Sequence, residues 1–441
     1  MNIDNILSKL KISELNKMQL DVAKLVSTTR DNIVILSPTG SGKTLAYLLP
    51  TIFQLNPVLD TVQMLVMLPS RELAKQSESV LKSMGVPLRG IALYGGRPTM
   101  EEHREIKKLK PQIVFATPGR INDHIAKGNI NPHGIRILVI DEFDKSLEMG
   151  FADEMQKVIK SLPSIERTIL LSATESQDIP NFVNIKSARR VDYTSPSSEM
   201  SAAKRISSFV VHSSQKDKLD TLYNLLLSFG NKSSIVFLNY RNSVERVVDF
   251  LTDKGFSCSS YHGGMTQRER EDNLYKFSNG STTVLVSTDL ASRGLDIPDV
   301  DNIIHYHLPT GEAEYTHRVG RTARWDAEGC TYIILGPEEK LPEFITSELQ
   351  DYEIPEGDFS VPKPRMATIY IGKGKKDKLS KGDILGFLCK KCGLSGREIG
   401  KIDVEERFCY AAISNDKLKS VLRLASGEKI KGIRTIVEQV K

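Results

Sequence analysis

The 441-residue sequence has few cysteines, one tryptophan and no long apolar run. Its uncharged apolar segments fall well short of the ~20 residues that a membrane-spanning helix needs, so we expect no membrane segment. Met1 to Leu10 carries Asp4 instead of the basic start of a secretory signal. Five cysteines in so long a chain argue against a disulfide framework and are typical of reduced thiols. These features predict a soluble, cytoplasmic protein.

Two of the cysteines, Cys389 and Cys392, have the spacing of a metal-binding or redox pair. However, the last histidine is His317, and Cys409 would supply only a third cysteine ligand. The pair also lies in a helical pattern of apolar residues and not in a metal-binding knuckle. We therefore expect no structural metal.

The basic charge of the chain is concentrated near its C-terminus. Residues 366–441 contain 17 Lys and Arg against 9 Asp and Glu, whereas residues 1–365 contain 43 against 46. Such a block is typical of a segment that binds nucleic acid. The alternative is a solvated basic surface without a partner.

Short apolar runs alternate with helix-length polar segments in two successive series. Continuous apolar runs favour parallel strands that are covered on both faces. The predicted strands are 33–36, 64–68, 91–94, 113–116, 137–140 and 168–171, then 207–211, 234–238, 257–261, 283–287, 302–307 and 331–335. Linker composition at 193–201 and the prolines from Pro337 to Pro364 separate these series from each other and from the last segment.

The last segment has a different element order. It predicts a strand at 368–371, a basic loop at 373–381, a helix at 383–392, strands at 399–404 and 408–413, a helix at 417–425 and a strand at 432–437. The fold class is therefore α/β, with parallel-sheet domains at residues 1–195 and 205–340, followed by a small α+β domain at 366–441.

A glycine-rich loop follows the first predicted strand, where residues 37–44 read Ser-Pro-Thr-Gly-Ser-Gly-Lys-Thr. Glycines let backbone N–H groups close on phosphate oxygens, Lys43 adds a cation, and Thr44 offers a hydroxyl to Mg²⁺. Ser37 stands where the pattern usually has glycine or alanine, so a chance glycine-rich turn is the alternative. The pattern predicts nucleoside triphosphate binding by Thr39, Gly40, Ser41, Gly42, Lys43 and Thr44.

An acidic pair follows the strand predicted at 137–140. Asp141 could hold Mg²⁺ through its hydration shell, and Glu142 could orient and deprotonate an attacking water. Ligands of doubly wound sheets gather at the carboxyl ends of the strands, where this pair lies. A solvated acidic turn is the alternative, but the position after a phosphate-binding loop favours a Walker B site.

Further segments resemble the ordered signatures of the DEAD-box RNA helicases over nearly the whole chain. They are Asp141-Glu142-Phe143-Asp144, Ser172-Ala173-Thr174, Gly95-Gly96, Thr117-Pro118-Gly119-Arg120, His262-Gly263-Gly264, Gln267-Arg268-Glu269-Arg270, and residues 69–76, 287–296 and 317–324. The resemblance implies two RecA-like domains that hydrolyse ATP with Mg²⁺ and bind RNA.

The resemblance also implies roles for the matching residues. Gln19 would read adenine through its amide, an exposed helix residue being the alternative. Arg321 and Arg324, three residues apart on one helix face, would act as arginine fingers, and Asp296 would hold a ribose hydroxyl. The residues expected to couple nucleotide state to RNA are Asp144, Ser172, Thr174 and His317.

An RNA groove is implied as well, whose amides, hydroxyls and guanidiniums suit phosphate and 2′-OH contacts. Its residues would be Arg71, Gly96, Thr117, Arg120, Gln267, Arg270, Thr288 and Arg293. Each arginine alone could instead be a surface salt-bridge partner.

Two positions depart from the family pattern. Phe143 stands where the family has alanine, which could alter coupling to RNA or could be ordinary packing behind the strand. The aromatic that usually stacks on adenine would fall near Asn2, so we expect weaker adenine selectivity.

The C-terminal segment resembles the RRM-like domain of the bacterial DbpA helicases, through residues 371–379, 381–386, 399–402 and 427–432. That resemblance implies an anchor on a hairpin of large-subunit ribosomal RNA. If Ile369 and Ile371 face the core, Tyr370 points outward, and Phe408 and Tyr410 share a face that could stack on bases. Aromatics packed in the core are the alternative. The basic loop offers Lys373, Lys375, Lys376 and Lys378 as separate RNA contacts.

The sequence as a whole predicts a monomeric ATP-dependent RNA helicase. We expect it to remodel large-subunit ribosomal RNA or pre-ribosomal particles during ribosome assembly. The alternatives are an ATP-regulated RNA chaperone and a non-catalytic RNA-binding scaffold. A DNA helicase is disfavoured because the motifs resemble those of RNA enzymes.

Overall fold

The computed structural model describes residues 2–38, 40–96, 98–173, 180–183, 185, 187–194, 206–292, 300–322, 329–345 and 348–440. Five residues predicted to belong to the site lie outside these ranges: Thr39, Thr174, Arg293, Asp296 and Arg324. The described residues fall into two compact units, of which unit one ends at Thr194 and unit two begins at Ile206. Within the described ranges, no helix is both long and apolar enough to cross a bilayer.

Unit one is an α/β domain. Its strands are β1 (Ile33–Leu36), β2 (Met64–Met67), β3 (Gly90–Leu93), β4 (Ile113–Ala116), β5 (Ile137–Ile140), β6 (Arg167–Ser172) and β7 (Arg189–Asp192). Its helices are α1 (Ile3–Leu10), α2 (Lys17–Thr28), α3 (Lys43–Ile52), α4 (Arg71–Met84), α5 (Thr99–Leu109), α6 (Pro118–Ala126), α7 (Phe143–Glu148) and α8 (Ala152–Lys160). The described strands form one parallel sheet in the order β3-β4-β2-β5-β6-β1-β7.

Alternate side chains of these strands enter two separate cores, because successive residues of a strand point to opposite faces. Ile33 and Ile35 pack with helices α1 to α4, and Val34 and Leu36 pack with α5 to α8. Both faces of the sheet are thus covered. The continuous apolar strands have the two-faced burial that was predicted for them.

Unit two begins with a second α/β domain. Its strands are β8 (Ile206–His212), β9 (Ser234–Phe237), β10 (Cys258–Tyr261), β11 (Val284–Ser287), β12 (Asn302–His305), β13 (Gly329–Leu335) and β14 (Leu349–Asp351). Its helices are α9 (Leu219–Phe229), α10 (Arg241–Asp253), α11 (Gln267–Ser278) and α12 (Glu312–Val319). The described strands form a parallel sheet in the order β10-β11-β9-β12-β13-β8-β14.

Unit two ends in a small α+β domain. Its elements are β15 (Met366–Ile371), α13 (Lys381–Lys390), β16 (Ile399–Val404), β17 (Cys409–Ser414), α14 (Leu418–Ala425), β18 (Lys429–Ile430), β19 (Ile433–Arg434) and β20 (Val437–Gln439). Four strands form an antiparallel sheet in the order β16-β17-β15-β20, and β18 pairs with β19. The fold class of two RecA-like domains followed by a small α+β domain is confirmed.

Two short strands, β7 and β14, were not predicted from the sequence. β7 and β14 lie at sheet edges and are mostly exposed, so they lack the apolar runs that mark the inner strands. The strand predicted at 432–437 is wrong, because its residues are divided between the β18–β19 hairpin and β20. Gly432 has a φ of 81° in the turn of that hairpin, a backbone conformation that favours glycine.

The outer face of the small sheet packs against α11. The alternation of side chains along β15 was predicted correctly. Ile369 and Ile371 enter the core, and Tyr370 lies on the other face of the sheet, where it pairs with Tyr410. Tyr410 is nevertheless buried, with its ring centre 4.7 Å from that of Tyr275 in α11. The expectation that Tyr410 stacks on a base is therefore wrong for this arrangement, because the neighbouring domain covers its ring.

Hydrogen bonds extend the same contact. The Tyr410 hydroxyl donates to Asp272, and the Tyr275 hydroxyl donates to the Lys401 carbonyl at 2.8 Å. Asn279 Nδ2 donates to Thr368 Oγ1 at 2.8 Å. The small domain is thus fixed to α11 by polar as well as aromatic contacts.

Candidate functional site

The glycine-rich loop connects β1 to α3 as predicted. Gly40 and Gly42 have φ values of 80° and 87°, which L-amino acids with side chains rarely adopt. Gly42 caps the N-terminus of α3, and Lys43 and Thr44 are the first residues of that helix. The buried Lys43 ammonium donates to the Ser37 carbonyl at 2.8 Å. A cation and unsatisfied N–H groups thus meet at one helix end, where phosphate is favoured.

Ser37 and Gln19 support this loop from two sides. Ser37 Oγ donates to Ser41 Oγ at 2.6 Å, so the unusual serine adds a hydrogen bond inside the loop. Gln19 is 1% exposed, which excludes the alternative of an exposed helix residue. Its Nε2 donates to the Gly42 carbonyl at 3.3 Å, and its Oε1 accepts from the Asn16 backbone at 3.0 Å. Gln19 therefore contacts the phosphate-binding loop directly.

Asp141 lies at the carboxyl end of β5 and is 3% exposed. Burial and the neighbouring Glu142 carboxylate raise its pKa to about 7, although Lys43 acts in the opposite direction. Its Oδ1 accepts the Glu142 backbone N–H at 2.9 Å. Because Mg²⁺ prefers oxygen ligands and would offset the charge of a buried carboxylate, the residues here fit this ion.

Glu142 occupies a strained position directly after Asp141. Its φ of 48° and ψ of 53° are left-handed, which costs a residue with a side chain roughly 1–2 kcal/mol. Strain of this kind tends to occur at functional sites. Glu142 Oε2 lies 3.5 Å from the ammonium of Lys145, which is 1% exposed. The sequence analysis did not identify Lys145 as part of the site. Its position, one helical turn after the acidic pair, could have indicated it.

Asp144 connects the acidic segment to β6. Its Oδ2 accepts the backbone N–H of Ala173 at 3.1 Å, and the Ser172 carbonyl accepts the backbone N–H of Ser37 at 3.0 Å. The structure thus brings Asp144, Ser172 and the start of the phosphate-binding loop together. Phe143 points away into the core on the α5–α8 side and is fully buried. This agrees with the packing alternative for the substitution.

The other half of the same sheet edge carries predicted RNA contacts, at the ends of β2, β3 and β4. Arg71 is the first residue of α4, and one of its terminal nitrogens lies 3.0 Å from where a Cβ on Gly96 would stand. Gly96 has a φ of 94°, so a side chain there would be both strained and crowded. Thr117 caps α6 and donates its backbone N–H to the Leu93 carbonyl at 3.1 Å. The described structure brings these three residues to one edge.

Arg120 is less available than the sequence suggested. Its Nε donates to Glu102 Oε2 at 2.6 Å, and a terminal nitrogen donates to Thr99 Oγ1 at 3.0 Å. Its side chain is 12% exposed. The salt-bridge alternative thus describes Arg120 in part, although its partner is a buried carboxylate.

Arg318 joins the carboxyl ends of three neighbouring strands in unit two. It is fully buried and binds Asp289 through two hydrogen bonds of 2.6 and 3.0 Å. It also donates to the His307 carbonyl and to Asn239 Oδ1, both at 2.8 Å, and it contacts Glu314. Charge-assisted and bidentate hydrogen bonds are among the strongest in proteins. Sequence reasoning missed Arg318, although it lies within residues 317–324.

His317 lies in the last turn of α12 and is buried, as is Arg321. Helix α12 ends at Val319, and the predicted pairing of Arg321 with Arg324 lies outside the described residues because Arg324 does. Gly320 follows, the Arg321 backbone N–H donates to the Arg318 carbonyl at 3.2 Å, and the Arg321 carbonyl accepts the backbone N–H of Val300 at 3.4 Å. Arg321 therefore lies in a turn.

The remaining predicted residues of unit two lie in two places. Gln267 begins α11 and donates from Nε2 to Glu271 at 3.0 Å, with Arg270 one turn later. Thr288 follows β11 and donates its backbone N–H to the Tyr261 carbonyl at 3.2 Å. These residues occupy the carboxyl edge of the second sheet.

The basic loop lies in the small domain. Lys375, Lys376 and Lys378 are exposed, and Lys373 pairs with Asp377 at 3.2 Å. Half-buried Tyr370 has the Arg268 guanidinium 5.2 Å from its ring centre, a cation–π contact with α11.

Comparison with known families matches three consecutive segments of the chain. Residues 16–182 match the DEAD/DEAH box helicase family, residues 217–326 match the helicase conserved C-terminal domain, and residues 368–439 match the DbpA RNA binding domain. The three matches follow the order of the three folded parts.

Curated relatives match over nearly the whole chain. The sequence is 34% identical over 410 residues to the ATP-dependent RNA helicase DbpA of Escherichia coli strain K12, covering 91% of this chain and 89% of the relative. It is 31% identical over 460 residues to the Bacillus subtilis protein of the same name, covering 97% and 95%. Saccharomyces cerevisiae Dbp5 bound to RNA and ADP BeF3 shares the fold, with a TM-score of 0.67 and 24% identity over 79% of this chain and 93% of that one.

Proposed function

The chain belongs to the DEAD-box ATP-dependent RNA helicases of the DbpA type, and from this membership we propose that it remodels structured large-subunit ribosomal RNA during ribosome assembly. The observation that carries the proposal is the match of residues 368–439 to the DbpA RNA binding domain. The same region contains the excess of Lys and Arg over Asp and Glu. A basic domain tethered to an ATP-driven core is suited to hold one RNA element while the core acts on another.

In the proposed ATP site, the phosphates lie against the loop from Thr39 to Thr44. Thr44 and Asp141 would hold Mg²⁺, which would supply charge neutralisation at the phosphates. Lys43 leaves the Ser37 carbonyl for the phosphates, and Glu142 accepts the proton of the attacking water. The burial of Lys43, Asp141 and Glu142 supports this assignment, because electrostatic effects are stronger away from water.

Four further residues complete the nucleotide assignment. Gln19 reads adenine by exchanging its Gly42 carbonyl partner for the base, and Asp296 holds the ribose. Arg321 and Arg324 stabilise the charge that develops during phosphoryl transfer. Coupling to RNA is assigned to Asp144, Ser172, Thr174 and His317, with support from the Asp144–Ala173 hydrogen bond.

The proposed RNA path follows the carboxyl edges of both sheets. In unit one it uses Arg71, Gly96, Thr117 and Arg120, and in unit two Gln267, Arg270, Thr288 and Arg293. Backbone amides and hydroxyls at these edges suit sugar and phosphate contacts, which carry no sequence information. Sequence preference is therefore assigned to the small domain.

In the small domain, Lys373, Lys375, Lys376 and Lys378 are the proposed contacts to an RNA hairpin. The exposure of Lys375, Lys376 and Lys378 supports this role. Tyr370 is proposed as an additional contact through the part of its ring that the neighbouring domain leaves accessible. We further propose that the protein acts in the cytoplasm as a monomer.

The RNA target is tested by crosslinking the full-length protein to RNA in cells and sequencing the recovered fragments. The proposal predicts enrichment of one region of large-subunit ribosomal RNA, and a Lys-to-Ala variant at the four loop positions should lose that enrichment. Fragments spread evenly over messenger RNA would contradict the ribosomal target. A duplex-unwinding assay beside an ATPase assay separates strand separation from ATP-driven clamping.

A further inference from the structure

Unit one contains a buried carboxylate that the assignments above do not use. Glu102, in the first turns of α5, is 0% exposed. Its Oε2 accepts from Arg120 Nε at 2.6 Å and lies 2.9 Å from His124 Nε2. Its Oε1 accepts the Tyr94 backbone N–H at 3.5 Å. These three donors hold the buried carboxylate in one position. Removing one of them would be strongly destabilising, because the charge would then be buried with too few partners.

His124 is oriented by a fourth group. Its Nδ1 lies 3.0 Å from the side-chain nitrogen of Asn129, which can only donate. The imidazole Nδ1 therefore accepts, and Nε2 carries the hydrogen that is donated to Glu102. Glu102 and His124 are both 0% exposed, so the hydrogen bond between them is closed to solvent.

The network joins two segments of the RNA-binding edge. Tyr94 directly precedes Gly95-Gly96 after β3, while Arg120 and His124 belong to α6, whose N-terminal cap is Thr117. Strands β3 and β4 are neighbours, with Leu93 opposite Ala116. One carboxylate on α5 thus holds both the segment before Gly96 and the helix that begins after Thr117.

We propose that Glu102 is a positioning residue for RNA binding, which fixes the spacing between the Gly96 loop and the N-terminal turn of α6 through Arg120 and His124. The inference rests on the proposed assignment of Gly96 and Thr117 to the RNA groove. RNA phosphates along one strand have a regular spacing, so two contact segments bind together only when their separation matches it. The phosphate-binding loop and the acidic pair Asp141-Glu142 follow β1 and β5, which lie in the other half of the sheet.

The test measures RNA and ATP binding separately in the full-length protein. Glu102→Gln removes the charge and leaves too few acceptor positions for all three donors. Glu101→Gln, on the same helix, is the matched control for the charge change. The affinity for a short fluorescein-labelled oligouridylate is measured by anisotropy with a non-hydrolysable ATP analogue, and the KM for ATP is measured at saturating RNA.

We expect Glu102→Gln to weaken RNA binding about tenfold, equivalent to about 1.4 kcal/mol, while the KM for ATP changes by less than about twofold. Glu101→Gln should match the unmodified protein. Asn129→Ala combined with Glu102→Gln should lose little more than Glu102→Gln alone, because Asn129 acts on Glu102 through His124. A general loss of folding would instead change RNA and ATP binding together.

Two further variants keep the outcome decisive. Asn129→Ala removes only the donor that orients His124, and it should weaken RNA binding about threefold; it decides the question if Glu102→Gln does not fold. Thr117→Val tests the groove itself. If Thr117→Val weakens RNA binding and neither network variant does, the positioning role is wrong. If Thr117→Val has no effect, the groove assignment is wrong.

Discussion

Asp144 Oδ2 accepts a hydrogen bond from the backbone N–H of Ala173 at 3.1 Å, which ties the acidic segment after β5 to the end of β6. Asp144 also accepts the backbone N–H of Lys145 through Oδ1. Asp144→Asn replaces one of the two carboxylate oxygens by an NH₂ group, which cannot accept, so one of these two hydrogen bonds is lost in either orientation of the amide. We expect ATP binding within about twofold of the unmodified protein and duplex unwinding reduced at least about tenfold. Nucleotide binding and unwinding are measured on the same preparation. Parallel losses in both assays would contradict a coupling role.

Glu142→Gln tests the proposed base. The amide keeps the size of the side chain but cannot accept the water proton, so turnover should fall by about 10² to 10⁴. ATP-bound protein should remain on RNA longer, since hydrolysis no longer resets the complex. ATPase rates and RNA dissociation rates measure the two effects. Glu148→Gln, at the end of α7, is the matched control, and turnover near the unmodified rate in Glu142→Gln would refute the assignment.

Asp141→Asn should stabilise the nucleotide-free protein while it abolishes Mg²⁺-dependent hydrolysis. Burial raises the Asp141 pKa from 3.8 to about 7, so between these values the folded protein binds more protons than the unfolded chain. The contribution of Asp141 to stability therefore falls as pH rises through this range. The variant should unfold at a higher temperature than the unmodified protein at pH 8, and the difference should shrink towards pH 4. A difference that grows on acidification would contradict the raised pKa.

Alanine at Lys373, Lys375, Lys376 and Lys378 should weaken binding to the ribosomal hairpin recovered by crosslinking. The dependence of log affinity on log salt should also flatten by about 0.7 to 0.9 for each phosphate contact that is lost. A set of alanines at Lys390, Lys391, Lys417 and Lys419 controls for the same loss of charge in the same domain. Equal effects of the two sets would indicate that net charge, and not the loop, binds the RNA.

Tyr410→Phe should loosen the small domain from α11. The change removes the hydroxyl that donates to Asp272 and leaves the ring against Tyr275, so the loss should be about 1 kcal/mol in the unfolding of unit two. Urea unfolding measures it, and Tyr240→Phe, whose side chain is 67% exposed, serves as the control. Equal stability of the two variants would mean that the Asp272 contact contributes little.

The sequence was most informative where a local pattern of residue types determines the structure or the site. The inner strands were predictable because each is a short apolar run, and Lys43, Thr44, Asp141 and Glu142 were identified because phosphate loops and strand-end carboxylates impose residue type and spacing. The order of elements from β15 to α14 in the small domain was likewise predictable. The edge strands β7 and β14 were missed because their exposure removes the apolar pattern.

Contacts made across long sequence separations could not be read from the chain. Arg318 holds Asn239 and Asp289, and Glu102 holds Arg120, through partners that only the folded sheet brings together. The packing of Tyr410 on Tyr275 was equally hidden, because periodicity gives the face of a residue but not what covers that face.

The left-handed backbone at Glu142 means that a change which stabilises the fold at this residue would also remove activity. Glycine adopts this conformation without the steric cost that a Cβ imposes, so Glu142→Gly should relieve strain in the turn between β5 and α7. The same change would remove the carboxylate that faces Lys145. A search for thermostable variants by folding alone would therefore tend to select against the proposed base, and a screen of this protein for stability needs an ATPase measurement beside it.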